Sequence, residues 1–463
     1  MSYLDQHILV LGLGESGIAM ARWLARGGAR LRVADSRTPP PGLDELRRDV
    51  PHAEIVTGAF TDALLDGISL VAISPGLSID APLLQAARAR GIAVTGEIEL
   101  FSHALAALDL RSRARVIAIT GTNGKTTTTT LAGELCRACG WNTAIAGNIS
   151  PSALTELMRR VDANDVADAW VLELSSFQME TTDSLQADAA TVLNVTDDHL
   201  DRHGTMADYA AMKARVFDGQ GTQVLNRDDV YSIGMARAGR RQVTFGLDAP
   251  ATAADWGVVE RDGRRWLARG TTALMAADQL QLAGAHNVSN ALAALALCEA
   301  VGGDLERMLE ALRNFRGLPH RVERVARRAD GVDYYDDSKG TNVGATIAAL
   351  QGLGRTVVLI AGGDGKGQDF RPLSPVLRAH VRAAVLIGRD ARRFADEVAD
   401  SGIPLIHVDT LEAAVVEANR LALAGDALVL SPACASLDMF KNYAHRAQVF
   451  VDAVRQLPEV TPV

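Results

Sequence analysis

The sequence predicts an α/β protein of about three domains built on parallel sheets. Two observations predict the class, and a third predicts the domain number. Short β-rich runs alternate with helical patterns along the chain, the order of strand–helix–strand units. The strongest apolar runs end in small or polar residues, as strands do where their carboxyl ends face a ligand crevice. The 463 residues exceed one ordinary core, at roughly 150 residues per domain.

The first hundred residues read as repeated strand–helix units: "HILVLGLG" (7–14), "RLRVAD" (30–35), "SLVAISPG" (69–76) and "IAVTGEIEL" (92–100). The first run closes on Gly12-Leu-Gly14-Glu-Ser-Gly17, a complete G-x-G-x-x-G between a strand and a helix, and Asp35 ends the next run. That is the fingerprint of a Rossmann-like dinucleotide turn, and it raises NAD as a ligand. "TPPPG" (38–42) is a loop. After "HALAALDLRSRAR" (103–115), the strand "VIAIT" (116–120) opens a second unit. A charge-rich bridge, "NFRGLPHRVERVARRADGVDYYDD" (314–337), separates "NALAALALCEA" (290–300) from the strand "RTVVLIAGG" (355–363). "AAVLIG" (383–388) and "ALVLSPACAS" (427–436) are further strands. Boundaries near 104 and 317 follow, giving domains 1–104, 105–317 and 318–463.

Composition narrows the function classes. Apolar residues make up 48% and charged residues 22%, as in a soluble globular enzyme. A net charge of -9 argues against binding nucleic acid, which requires surplus Lys and Arg. No run offers the roughly 18 apolar residues of a membrane span, and "MSYLDQHILV" lacks a basic leader region. The cysteines, Cys136, Cys139, Cys298 and Cys434, are sparse and scattered. A cytoplasmic location with reduced thiols is expected. Cys136-Arg-Ala-Cys139 is formally a C-x-x-C, but no second pair or nearby histidines complete a zinc set, so both read as small packed residues.

A second phosphate site lies in "VIAITGTNGKTTTTTLAGEL" (116–135), a strand, a glycine-rich turn and a helix starting at Lys125-Thr126. Backbone N–H groups of such a turn wrap the phosphates of ATP, with Lys125 on the β/γ-phosphates and the Thr126 hydroxyl on Mg²⁺. The spacing departs from G-x-x-x-x-G-K-[ST]: Ile119 stands at the first glycine position and a glycine appears at 121. A hydride-transfer enzyme has no use for an ATP loop, so the first glycine turn specifies a diphosphate more securely than it specifies NAD. "WVLELSSFQME" (170–180) puts Glu173 on a buried strand, where it either binds a cation or is a paired or protonated core carboxylate. "LNVTDDHLDRHG" (193–204) gathers Asp197, Asp198, His199, Asp201 and Arg202 past a strand, for metal and phosphate contact or as a solvated loop. "DDSKGTN" (336–342) and "GGDGKGQDF" (362–370) each set a lysine in a Gly/Asp loop after a strand, suited to anionic oxygens.

Together the motifs "GLGESG", "DSRTPPPGL", "TGTNGKTT", "GNI", "LELSSFQME", "LNVTDDHLDRH", "HNVSNALAA", "GLPHRVE", "DDSKGTNVGAT", "GGDGKG" and "SPACASLDMFKNY" closely resemble the Mur ligases of bacterial peptidoglycan synthesis, in order and along the whole chain. T-G-T-N-G-K-T is that family's usual ATP loop. The resemblance implies a Rossmann-like N-terminal domain for a UDP-linked substrate, a central P-loop ATPase-type domain and a Rossmann-like C-terminal domain for an amino acid. It implies that ATP phosphorylates the L-alanyl carboxylate of UDP-N-acetylmuramoyl-L-alanine and that glutamate attacks the acyl phosphate, with no NAD.

The resemblance also implies the site residues. Gly121, Thr122, Asn123, Gly124, Lys125, Thr126, Thr127, Asn290, Arg321 and Asp337 contact ATP, Asp337 at the ribose. Gly14, Ser16, Ser36, Arg37, Gly76 and Asn148 hold the UDP-sugar, with Ser175, Gln178 and His199 nearer the sugar and lactyl part. Lys339, Thr341, Lys366, Ser436 and Tyr443 receive D-glutamate. Thr126 and Glu173 serve one Mg²⁺ and His199 a second, with Lys213 as a lysine carbamylated by CO₂. Lys125, His199 and Lys213 form the catalytic set of a monomer. Tyr443 stands where relatives commonly have Phe, and Ser36 where they often have Thr.

Overall fold

In the computed structural model, residues 2–282 and 284–462 are described. Four sheets organise them. The first is five-stranded and wholly parallel, in the order Glu54–Thr57, Arg30–Asp35, His7–Leu11, Leu70–Ile73, Ala93–Gly96. This is the Rossmann-like order, with the first strand at the centre and the crevice at its carboxyl end. The second is six-stranded and parallel: Gln242–Phe245, Thr222–Asn226, Ala189–Val192, Arg115–Thr120, Ala169–Glu173, Thr143–Gly147. Apart from Arg115 its inner strands Arg115–Thr120, Ala169–Glu173 and Ala189–Val192 are buried, as strands covered on both faces must be. The α/β class and the three-domain architecture stand.

A seven-stranded sheet forms in the last third: Leu405–His407, Val381–Ile387, Val357–Gly362, Ala427–Leu430, Asp333–Asp336, Glu323–Arg328, Val460–Pro462. Five of these strands run parallel, whereas Glu323–Arg328 is antiparallel to both of its neighbours. The stretch 314–337, read from sequence as a bridge, therefore contributes a hairpin to the sheet, turning at Asp330-Gly331. A fourth sheet, Trp256–Arg261, Arg264–Arg269 and Thr272–Ala276, is an antiparallel meander. Its Asp262-Gly263 turn has both residues at positive φ (54° and 70°), the signature of a tight hairpin.

The chain forms two compact units. The first comprises 1–195, 199–276 and 290–312, and the second comprises 196–198, 277–289 and 313–463. Within the first unit, acidic side chains seat the five-stranded layer on the helix Ala153–Asp162. Glu15 accepts from Ser152 N at 2.8 Å and from Ser150 Oγ at 2.6 Å, and Glu97 accepts from Leu154 N at 2.6 Å. These carboxylates meet the positive end of a helix. Burial pushes the Glu97 carboxyl up to about 7, with Glu15 nearby adding repulsion. Glu99 takes Asp183 N and Ser184 N at 2.7 and 2.9 Å.

Cys136 is buried in the helix Lys125–Ala138, which Cys139 caps, and the fold brings Cys298 to 3.7 Å from Cys136. Among the described residues no helix is long and apolar enough to cross a membrane.

Candidate active site

The first glycine turn forms a pocket of about 350 Å³ lined by Gly12, Gly14, Glu15, Ser16, Asp35, Ser36, Arg37, Phe60, Ser74, Pro75, Gly76 and Leu77. Five residues expected at a UDP-sugar, Gly14, Ser16, Ser36, Arg37 and Gly76, thus share one cavity. Gly17 is required by packing, since a Cβ there would stand 1.8 Å from Gly12 O. Gly14 and Gly76 have no atom within 4 Å of where a Cβ would sit, so both leave the cavity free.

Asp35 does not offer itself to a ligand. Oδ1 accepts from Arg37 N (2.9 Å) and Arg37 Nε (2.8 Å), and Oδ2 accepts from Leu13 N (2.7 Å) and Arg37 Nη2 (2.6 Å). Four donors saturate the roughly four lone-pair sites of a carboxylate. The Arg37 hydrogen bonds hold its pKa down at about 2. A carboxylate so occupied orders the turn instead of reading a ribose hydroxyl.

The second glycine turn links the strand Arg115–Thr120 to the helix Lys125–Ala138. Gly121 and Gly124 take positive φ (152° and 80°), and a Cβ at Gly124 would meet Asn290 Oδ1 at 2.4 Å. Asn290 also accepts from Thr128 Oγ1 at 3.2 Å, so this expected ATP residue sits against the loop. Asn194, 71 residues away in sequence, holds the loop in shape: its carbonyl accepts from Thr122 N at 2.9 Å and its Oδ1 from Asn123 N at 2.8 Å. Lys125 Nζ folds onto the loop's own carbonyls, Gly121 O at 2.8 Å and Thr122 O at 2.9 Å. Thr126 and Thr127 are buried in the first helical turn.

Glu173 ends the strand beside the loop, in register with Ile119 and Gly147, and is 2% exposed. Its Oε1 accepts from Asn148 Nδ2 at 2.8 Å, whereas Oε2 is buried without a hydrogen-bond partner. A buried carboxylate oxygen left open is costly unless a partner completes it, and a cation is such a partner. The residues present therefore fit a metal ion. Asn148, expected at the UDP-sugar, is turned to Glu173 and orients that carboxylate.

Lys213 lies in the helix Met206–Ala214 and is 1% exposed. Its Nζ donates to Gly121 O at 2.9 Å, the carbonyl that Lys125 also uses, and stands 4.4 Å from the Tyr209 ring centroid. Tyr209 passes the contact on, stacking with His203 at 5.1 Å and meeting His199 edge-on at 6.4 Å. His199 takes a left-handed φ of 56° before the short helix Leu200–His203 and packs edge-on against Phe177 at 4.8 Å. Burial lowers the His203 pKa, and its Nε2 lies 3.0 Å from Ser176 Oγ. Ser175 and Gln178 form a capping box, Ser175 N to Gln178 Oε1 at 2.9 Å and Gln178 N to Ser175 Oγ at 3.2 Å. Through Gly121 O, the residues Lys125, Lys213, Tyr209, His199 and Phe177 thereby form one contact chain from the second glycine turn to that box.

The second compact unit contains the remaining expected residues. Burial pushes the Asp337 carboxyl up to about 7 against the pull of Ser431 Oγ, 2.7 Å away, and of Arg321. Lys339 Nζ lies 5.1 Å from the Tyr443 ring centroid. Thr341 follows, its N–H on Lys339 O at 3.0 Å. Lys366 is exposed at φ 48°, and its loop is joined to that of Ser436 by the bridge Asp364–Ala435. Arg446, which the sequence reading passed over, is 1% exposed and binds Ser338 O at 2.8 Å and Cys434 O at 3.2 Å. It clamps the Lys339 loop to the Ser436 loop. Its signal was present: Arg446, Ala447, Phe450 and Val454 share the buried face of one helix, where a cation is out of place. Among the described residues His320, Glu323 and Asp336 also gather, with His320 Nδ1 2.6 Å from Asp336 Oδ2.

Three family models match in order: the Mur ligase MurD-like N-terminal domain over residues 6–96, the Mur ligase middle domain over 119–298 and the Mur ligase glutamate ligase domain over 320–434. The chain is 58% identical to a UDP-N-acetylmuramoylalanine–D-glutamate ligase of Aromatoleum aromaticum, covering 98% of both chains. It is 56% identical to the protein of that name from Methylobacillus flagellatus, covering 98% of this chain and 97% of the relative. Solved structures share the fold at lower identity. MurF from Acinetobacter baumannii aligns with a TM-score of 0.61 at 17% identity, over 97% of this chain and 91% of that one. UDP-N-acetylmuramate-alanine ligase MurC from Thermotoga maritima aligns with a TM-score of 0.59 at 18% identity, over 97% and 99%.

Proposed function

The chain belongs to the Mur ligase family, and we propose that it is the ATP-dependent ligase joining D-glutamate to the L-alanyl carboxylate of UDP-N-acetylmuramoyl-L-alanine in peptidoglycan precursor synthesis. The observation that carries this reading is the presence, in one compact unit, of two phosphate-accepting glycine turns, of which only the second has a lysine and a buried open carboxylate beside it. One turn suits a nucleotide that is held; the other suits a nucleotide that reacts. Identity of 58% over 98% of the chain supports the choice of substrates. The saturated Asp35 favours UDP over NAD at the first turn.

The transferred γ-phosphoryl moves onto the substrate carboxylate, giving an acyl phosphate, and the amine of glutamate displaces phosphate to form the amide. Bringing a carboxylate onto an anionic phosphate is opposed by Coulomb repulsion, which Lys125 offsets by exchanging its loop carbonyls for phosphate oxygens. Thr126 and Glu173 would hold one Mg²⁺, and His199 with a carbamylated Lys213 a second; ions there would supply further charge neutralisation. Lys213 acts as a carbamate, formed when its neutral Nζ bonds to CO₂ and releases a proton. Support comes from the crowding of two lysines on Gly121 O, which a negative group at 213 relieves. Asn290, Arg321 and Asp337 are the further residues assigned to ATP. Lys339, Thr341, Lys366, Ser436 and Tyr443 receive the amino acid, the lysines as partners for its carboxylates. The domains are 1–104, 105–317 and 318–463, and the protein works as a cytoplasmic monomer.

The test is phosphate release from ATP and Mg²⁺ with UDP-N-acetylmuramoyl-L-alanine, comparing D-glutamate, L-glutamate and no amino acid. Release dependent on D-glutamate is expected. Dependence on L-glutamate overturns the specificity, and no release with either overturns the reading.

A further inference from the structure

We propose that Arg202 is a positioning residue that ties the UDP-substrate pocket to the side chains around His199. The proposal rests on the ligase reading above. From sequence, Arg202 stands in a charged cluster suited to phosphate; in the structure its guanidinium is committed elsewhere. Nη2 donates to the Leu77 carbonyl at 2.7 Å, and Nε donates to Glu180 Oε1 at 3.0 Å. Nη2 also reaches Glu180 Oε2, and Cζ lies 4.9 Å from the Phe177 ring centroid. The side chains of Arg202 and Glu180 are 14% and 4% exposed, so the pair is shielded from solvent.

Each partner belongs to a different part of the site. Leu77 follows Gly76 in the turn that walls the UDP pocket. Glu180 caps the short helix Ser176–Met179, which carries the Ser175–Gln178 box. Arg202 itself lies in the helix that His199 caps, and the Phe177 ring under its guanidinium meets the His199 imidazole edge-on. One guanidinium therefore spans segments 125 residues apart in sequence. Only a planar fork does this: it grips a carboxylate with two N–H groups and keeps donors for the carbonyl, whereas an ammonium binds as a point charge. When the UDP portion fills the pocket, the Leu77 turn is held at a fixed distance from His199. The L-alanyl end is thereby delivered to the phosphoryl-transfer site.

Arg202→Lys keeps the charge beside Glu180 and loses the tether to Leu77. The expected result is a roughly tenfold rise in KM for UDP-N-acetylmuramoyl-L-alanine with a fall in kcat, the size of one charged hydrogen bond. KM for ATP and the melting temperature should stay near those of the wild type. Glu180→Gln should move the same two parameters by less, because Gln keeps one acceptor for the fork. Unchanged kinetics in a folded Arg202→Lys protein, or equal changes in the ATP and UDP-substrate KM values, would overturn the proposal. Calorimetric titration of UDP into wild type and Arg202→Lys separates this proposal from the ligase reading, because it needs no turnover. UDP binding weakened in the variant supports the tether even if D-glutamate-dependent release fails. Equal binding, or none to the wild type, overturns it.

Discussion

The two glycine turns of the first compact unit are built alike and surrounded differently. Each leads from a central parallel strand into a helix, whose N-terminus is the kind of place that favours an anion. Around residues 12–17 the Asp35 carboxylate is saturated by Arg37 and Leu13, Glu15 accepts from Ser150 and Ser152, and among the lining residues the only cationic side chain is that same Arg37. Around residues 121–126 two lysines crowd one carbonyl, and Glu173 keeps a buried oxygen open. On the proposed reading, the backbone device decides that phosphate binds. The side chains within a few ångströms decide whether it also reacts.

The largest effect expected from breaking this contrast is at Lys125. Lys125→Ala removes the main cationic partner of the γ-phosphate, and phosphate release should fall at least 10²–10³-fold, roughly the cost of one lost preorganised donor. Retained turnover would remove the distinction between the turns. Lys213→Ala should cost roughly a hundredfold, with partial recovery on adding short carboxylic acids and Mg²⁺. A folded variant that no acid rescues would argue against a carbamate.

At the first turn the expected effect is on stability. Asp35 is held at about 2, below its ordinary 3.8, so its pairing stabilises the fold fully above about pH 4. That contribution is lost as pH falls through about 2. After allowance for the half-exposed Arg37 it amounts to about 1–2 kcal/mol. Asp35→Asn should therefore lower the melting temperature at pH 7 and converge with the wild type in strong acid; an undiminished gap at about pH 1 would contradict the assignment. The smallest effect is at the amino-acid side. Lys366→Ala should raise KM for glutamate roughly tenfold and leave that for the UDP-substrate unchanged, and the reverse pattern would move Lys366 to another site.

Much of this was legible in the sequence because the signals are local. Gly12, Gly14 and Gly17 announce themselves through spacing, the Gly121–Lys125 loop through its glycines and Lys-Thr pair between a strand and a helix, and Glu173 as a charge on an apolar strand. What escaped depends on residues far apart in the chain. Asn194 shapes a loop 71 positions earlier, and Cys298 reaches Cys136 across 162 positions. Neither pairing has a local pattern. Asp35 looked like the acid of an NAD site because sequence shows its position but not its four donors. The hairpin at 323–336 hid because its strands are charged and lie toward the sheet edge, where apolar alternation is weak. The antiparallel sheet at 256–276 had a visible Asp-Gly turn and was legible in principle.

On the proposed reading, the first turn holds a UDP-linked substrate without taking part in phosphoryl transfer. This is tested most directly by titrating UDP-N-acetylmuramoyl-L-alanine and, separately, NAD into the Lys125→Ala protein by calorimetry. Wild-type affinity for the UDP-substrate and no binding of NAD are expected. Loss of UDP-substrate binding along with Lys125, or measurable NAD binding, would contradict it.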